Sequence, residues 1–387
     1  MKVDGMRDLR ITGGTVLLPS DGPVNTDLTV RDGLIDRIGP AAGGFSFDAS
    51  GLLVLPGIVD LHGDAFERQI QPRPGVDFPM DLALQDTESQ LLANGITTAF
   101  HGVTLSWEPG LRSLTAWRAL LAALDDGPWT CDMRVHLRWE AYNLEALETA
   151  LADIEAGRVH LLAFNDHTPS ILRKLKDPVE GAKYSGRAGM KIEPFRSMAD
   201  AVASRSDAVP AALDLIAASA RAAGLPMASH DDDSIAVRNG FRACGARICE
   251  FPMAEEVARA AVEAGDFVAM GCPNVVRGGS HLGWASAARM AEASVCTVLT
   301  SDYFYPAMMR AAFVLADRGI LQLAQAWALI SANPAQAAGL TDRGRIEAGK
   351  RADLVIVDPA ARRAVATIAG GRVAHLTAHG NARISAE

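Results

Sequence analysis

Between residues 56 and 340 the chain repeats one unit eight times, a short apolar run followed by a longer stretch of helical pattern. The apolar runs are residues 57–61, 97–100, 133–140, 159–165, 226–229, 247–251, 267–271 and 297–301. Strands joined by crossover helices lie parallel. Eight such units close a (β/α)₈ barrel of the TIM type, whose reactive groups sit at the C-terminal ends of the strands and on the loops that follow. The alternative is an open doubly wound sheet, but no Gly-x-Gly-x-x-Gly follows the first run to mark a dinucleotide site.

The flanks have a different texture. Residues 9–12, 16–18, 28–31, 34–38 and 52–55 read as short strands, and so do residues 353–358, 364–368 and 372–376. Asp32-Gly33 and Gly370-Gly371 supply turn signals between them. The expected organisation is a small β-sandwich domain built from residues 1–55 and 341–387, around a barrel domain of residues 56–340. A length of 387 residues suits this division, because one barrel domain can hold about 250 residues.

Charge and composition narrow the function classes. Lys plus Arg number 37 against 46 Asp plus Glu, a net charge of −9, which argues against a broad basic surface for nucleic acid. At 49% hydrophobic and 21% charged the chain is of globular type. The Ala-rich stretch 209–223 contains Asp214 and Arg221 and reads as a packed helix, not a membrane span. Asp4, Arg7, Asp8 and Arg10 stand where a signal peptide needs an apolar run. Five cysteines without a Cys-x-x-Cys pair suggest neither a disulfide framework nor a thiolate zinc site, which fits a reducing cytoplasm. Assembly into a homo-oligomer is compatible with the sequence.

Within residues 133–140, Val135, Leu137 and Trp139 alternate with Arg134, His136, Arg138 and Glu140. In a barrel wrapped by helices the apolar face looks outward, so the ionisable face looks inward. Burying it is costly unless metal ions or a charged ligand compensate. At the strand ends stand His62 and Asp64, Glu140, His167, His230 and Asp302. Imidazoles and carboxylates without thiolates suit zinc, with manganese or iron as alternatives, and six donors suffice for two divalent metal ions. The His62-Gly63-Asp64 spacing places both side chains on one face of an extended segment.

Two ions need a bridging group, often a carbamylated lysine or a glutamate. None of the six lysines lies at a strand end, which leaves Glu140, unless that carboxylate merely pairs with Arg138 or Arg134. Asp302 is the expected proton acceptor for metal-activated water. Its structural alternative is a cap for the helix after Pro306.

Pro56-Gly57-Ile58-Val59-Asp60-Leu61-His62 together with these strand ends resembles the metal-dependent amidohydrolase superfamily. The stretch Gly344-Arg345-Ile346-Glu347-Ala348-Gly349-Lys350-Arg351-Ala352-Asp353-Leu354-Val355 is similar to that superfamily's return into its β-sandwich. Five segments resemble its PhnM branch, of the carbon-phosphorus lyase pathway. They are Asp60-Leu61-His62-Gly63-Asp64, Pro72-Arg73-Pro74-Gly75-Val76, Ala228-Ser229-His230-Asp231-Asp232, the run from Pro273 through Arg277-Gly278-Gly279-Ser280-His281, and Ser301-Asp302-Tyr303. Asp64 in place of a second histidine agrees with that branch. The resemblance implies hydrolysis of α-D-ribose 1-methylphosphonate 5-triphosphate to the 5-phosphate and diphosphate.

The remaining loops suit such a substrate. Gly278, Gly279 and Ser280 offer backbone N–H groups to phosphate oxygens, beside the fork of Arg277 and His281. Residues 168–205 form an insertion carrying Lys174, Lys176, Lys183, Lys191, Arg173, Arg187 and Arg196, which reads as a long loop acting as a cationic lid, or else as a solvated surface. Arg68 and Arg73 follow the first strand. The expected activity is therefore a metal-dependent diphosphatase. A deaminase or cyclic-amide hydrolase using the same centre is the alternative, and a barrel without chemistry would be expected to have lost some of the six ligand positions.

Overall fold

The computed structural model describes residues 8–19, 22–40, 44–73, 75–279 and 286–386. Its central sheet holds eight strands: β1 (Ile58–Gly63), β2 (Ile96–Leu105), β3 (Asp132–Glu140), β4 (Leu161–Asn165), β5 (Met227–His230), β6 (Ile248–Glu250), β7 (Phe267–Gly271) and β8 (Val298–Thr300). Each pairs in parallel with the next. The last meets the first through a bridge between Gly63 and Asp302. The fold is thus the expected (β/α)₈ barrel, with every expected strand present and only its boundaries shifted.

β3 shows why the barrel forms. Val135, Leu137 and Trp139 pack outward against Trp117, Leu120 and Leu121 of the helix Leu114–Asp126. That helix starts at Ser113, whose side chain accepts from the Ala116 N–H at 3.2 Å and so satisfies one of the orphan donors of the first turn. On the inner side, Val59, Leu61, Phe100, Leu161, Ala163, Ala228, Ile248, Ala269 and Val298 fill the barrel. Each large apolar side chain so buried contributes ~1.5–3 kcal/mol. His136, Arg138 and Glu140 are buried with them on the inward face of β3.

The flanking segments form one nine-stranded sheet. Leu53–Pro56 runs antiparallel to Leu354–Asp358, so segments from the two flanks of the barrel meet at its middle. Leu9–Leu18 pairs in parallel with Phe45–Asp48 through its first half and with Leu53–Pro56 through its second. The sheet therefore forks, with Ile11, Val16, Leu28, Phe47, Val54, Leu354 and Ile356 sharing one core. The sequence splits Leu9–Leu18 into two runs, whereas the structure keeps one strand with an irregularity at Gly13, whose φ of +69° suits a bulge. Phe45–Asp48 and Ile384–Ala386, which pair with each other, are too short to show an alternation and escaped the sequence reading.

Residues 168–205 differ from expectation. In place of a long loop they form three helices, α1 (Thr168–Lys174), α2 (Pro178–Arg187) and α3 (Ile192–Ala203). Ile171, Leu175, Phe195 and Ala199 make a small core of their own. Trp107, from the loop after β2, covers it, with its ring 5.7 Å from Phe195 and its N–H donating to Thr168 Oγ1 at 2.9 Å. The abundance of cations masked the helical spacing of Phe195, Ala199 and Val202, all buried. Among the described residues no helix is long and apolar enough to cross a membrane, and the five cysteines are free thiols.

Candidate metal centre

The C-terminal strand ends converge on one another. His62 Nδ1 lies 3.1 Å from Glu250 Oε2, and His136 Nε2 lies 3.7 Å from the same oxygen. His136 is held from its other side by a 2.9 Å contact between Nδ1 and the carbonyl of Leu61. The ring of His62 stands 5.1 Å from that of His136 and 5.4 Å from that of His230. On the far side, Glu140 Oε1 is 2.6 Å from His167 Nδ1, and Asp231 Oδ2 is 3.9 Å from His167 Nε2 and 3.2 Å from His230 Nδ1. Asp302 completes the ring of strand ends. Its carboxylate fits beside Gly271, where a Cβ would stand 3.0 Å from Oδ2.

Among the described residues two sets of donors can each converge on a cation, His62 with His230 and Glu250, and His167 with His230 and Asp231. Within each set the ligand atoms lie within 4.8 Å of one another. The fit is supported by what lacks a partner. Both carboxylate oxygens of Glu250 are buried without a hydrogen bond, as are His62 Nδ1, His136 Nε2 and His230 Nδ1. The approaches to Glu250 and Asp231 are thus contacts at ion-pair range and not hydrogen bonds. A buried carboxylate left so costs several kcal/mol unless a cation arrives.

The charges of the site are correspondingly displaced. Burial, with the nearby charge of Arg138, holds His62 well below its ordinary value, and burial pushes His136 down to about 3. Burial would also lower His167, but its contacts with Asp231 and Glu140 outweigh this and raise it to about 9. Glu140 is lowered: burial raises it, and the hydrogen bond and charge of His167 prevail. Burial, then the neighbouring charge of Asp64, pushes Asp302 up to about 7. Such displaced values cluster where chemistry is done.

Of the residues expected at the mouth, Arg68 and Arg277 meet on one side chain. Arg277 donates to Tyr303 Oη at 3.3 Å and the Arg68 guanidinium lies 5.8 Å from the Tyr303 ring centre, directly after Asp302. Arg73 sits in an exposed turn paired with Val76. Lys183 is exposed and paired with Glu180 on its own helix at 2.5 Å. Gly278 ends the helix Cys272–Arg277 at a φ of +85°, and its N–H turns back to the carbonyl of Val275. Gly279 follows it, and Ser280, His281 and the side chain of Arg187 lie outside the described residues.

Glu250, Asp231, His136 and Arg138 were not among the expected ligands. The sequence carried a signal for each. Glu250 ends β6, Asp231 follows His230 directly, and His136 and Arg138 lie on the ionisable face of β3. Phe251 extends the sixth apolar run past Glu250, which hides that carboxylate within the run.

Residues 90–382 match the amidohydrolase family. The chain is 33% identical over 321 residues to the α-D-ribose 1-methylphosphonate 5-triphosphate diphosphatase of Escherichia coli strain K12, covering 80% of this chain and 84% of that one. It is 28% identical to an adenine deaminase of Methylobacterium nodulans over 94% of this chain and 58% of the other. An amidohydrolase from an environmental sample of the Sargasso Sea superposes with a TM-score of 0.65 at 18% identity, over 95% of this chain and 93% of its own. With the barrel, its converging imidazoles and carboxylates and this matched span, the chain is a hydrolase that belongs to the amidohydrolase family.

Proposed function

We propose that this chain hydrolyses a phosphoanhydride bond of a ribose 5-triphosphate, with α-D-ribose 1-methylphosphonate 5-triphosphate as the substrate and the 5-phosphate and diphosphate as products. The observation that carries this reading is the 33% identity with the Escherichia coli diphosphatase across 80% of the chain. Two donor sets sharing His230 support two divalent ions, zinc first among them. When bound, such ions supply an activated water and a counter-charge for phosphate oxygens. His62, His167, His230, Asp231 and Glu250 would hold them, joined by Asp64, Glu140 and Asp302 as further donors.

The chain's own residues do the rest. Water adds to a phosphorus, the bridging oxygen departs with one product, and Asp302 takes the proton released from the water. Asp302 is fixed for this by its backbone, whose N–H and carbonyl bond to His62 and Asp64 at 2.9 Å. Arg68 and Arg277, gathered at Tyr303 beside it, offer charge to the polyphosphate tail. Glu140 orients His167 through Nδ1. The localisation that suits this metabolism is the cytoplasm.

The likeness to an adenine deaminase over 94% of the chain favours a second reading, deamination by the same centre. Metal-loaded protein offered the ribose triphosphate and, separately, adenine decides between them. Diphosphate release without ammonia supports the first reading, and ammonia from adenine with no diphosphate replaces it.

A further inference from the structure

The ligand set already contains a cation. Arg138 on the inward face of β3 is 7% exposed, and its Nη2 lies 3.1 Å from His230 Nε2 while Nη1 lies 3.9 Å from Asp64 Oδ2. With the Asn165 amide oriented to satisfy its neighbours, Arg138 Nε also donates to its oxygen at 3.3 Å. Gly102 on β2 leaves the space. A Cβ there would stand 3.4 Å from both Arg138 Cδ and His62 Nε2.

A guanidinium is a donor only, so His230 Nε2 must turn its lone pair toward Arg138. The proton of the neutral ring then sits on Nδ1, 3.2 Å from Asp231 Oδ2. That proton then faces Asp231 at ion-pair range, and Nε2 is left as the ligand atom. Here Arg138 holds that atom. His230 belongs to both donor sets, and with its proton on Nδ1 it has one lone pair to give, so one ion at a time can take it. The guanidinium further opposes a dication at this distance through like charge and takes part of the negative charge of Asp64.

We propose that Arg138 competes with one of the two divalent ions for Nε2 of His230, so that the chain binds one ion tightly and the other weakly. This rests on the two-ion reading above, and it makes Arg138 the residue that sets metal occupancy. Filling the second position requires the guanidinium to leave His230.

The test uses zinc alone. Wild-type protein and Arg138→Gln, both stripped by a chelator, are titrated with Zn²⁺ by calorimetry, and retained zinc is counted after dialysis. The wild type is expected to show stepwise affinities that differ by at least about tenfold, and Arg138→Gln to tighten its weaker step by about tenfold or more. Two equal affinities in the wild type, or a variant with an unchanged weaker step, would overturn the proposal. Should Arg138→Gln fail to fold, wild-type structures at one equivalent and at excess zinc decide instead. The Arg138–His230 contact intact with one ion and broken with two supports competition, and the contact intact with both bound refutes it. Neither readout involves substrate, so a failure here leaves the diphosphatase reading to its own assay, and a silent assay leaves the zinc titration standing.

Discussion

The backbone N–H of Asp302 donates to the carbonyl oxygen of His62 at 2.9 Å. Beneath that bond the fully buried carboxylate of Asp60 accepts from the Ser301 N–H at 2.9 Å, from Ser301 Oγ at 2.5 Å and from the His62 N–H at 3.3 Å. One carboxylate thus fixes the first and last strand ends together, and with them the histidine and the aspartate of the site. Asp302 itself adopts a φ of +56°, a conformation that a non-glycine residue holds only when its surroundings impose it. Asp60→Ala is expected to cost about 1–3 kcal/mol in urea unfolding and to lower kcat more than it raises KM. Lost stability with an unchanged kcat would make Asp60 a purely structural residue.

Removal of the proton acceptor is the most direct test of the chemistry. Asp302→Asn is expected to lower kcat for diphosphate release by about 10²–10⁴-fold, the usual span for a general base. A loss of less than tenfold in metal-replete protein would assign the proton to another group.

The cations divide into two groups with different expected effects. Arg68→Ala and Arg277→Ala should each raise KM for the triphosphate about tenfold, the weight of roughly one charge-assisted hydrogen bond. Lys183→Ala should change neither constant, because its ammonium is exposed and committed to Glu180. The opposite pattern would move the polyphosphate tail onto the helical insertion.

His101 on β2 pairs in the sheet with Gly63, and its side chain, outside both donor sets, gives a pH signature of its own. It is fully buried against Phe66, with neither ring nitrogen hydrogen-bonded, and burial pushes its pKa down to about 4 from 6.5. The unfolded chain therefore binds the extra proton first, so the stability due to neutral His101 is complete above pH 6.5 and is lost as pH falls toward 4. The loss amounts to up to ~3 kcal/mol. Thermal melts at pH 7.5 and pH 5 should show a smaller acid penalty for His101→Phe than for wild type, and equal penalties would contradict the assignment.

Behind His230, Arg238 is 1% exposed and bonds Ser229 Oγ at 2.5 Å, Asp266 at 3.3 Å and Asp232 at 3.5 Å. Breaking a buried ion network from one side costs about 3–5 kcal/mol. Arg238→Met should show a loss of that size in chemical denaturation, and a loss under 1 kcal/mol would mean that the acidic partners rearrange or take up protons.

The barrel was legible because each of its strands carries its own apolar run, and the site was half legible because a polar residue at a strand end stands out against that run. His62, His167, His230 and Asp302 were visible in this way. Arg138 was legible only as part of the inward ionisable face of its strand, and Glu250 was not, since the apolar run continues past it to Phe251. The three helices of residues 168–205 were obscured for a different reason. Their apolar positions pack on one another and on Trp107, a contact that no local pattern announces.

The pairing of Leu53–Pro56 with Leu354–Asp358 also dictates an order of events during synthesis. At about 5–20 residues per second the early strands wait many seconds before their partner leaves the ribosome. Until then Val54 and Leu55 present an unpaired edge, the kind of surface that chaperones bind and neighbouring chains capture. The flanking sheet can therefore be completed only after the barrel strands have been made, and truncation before residue 354 would leave the Leu53–Pro56 edge exposed.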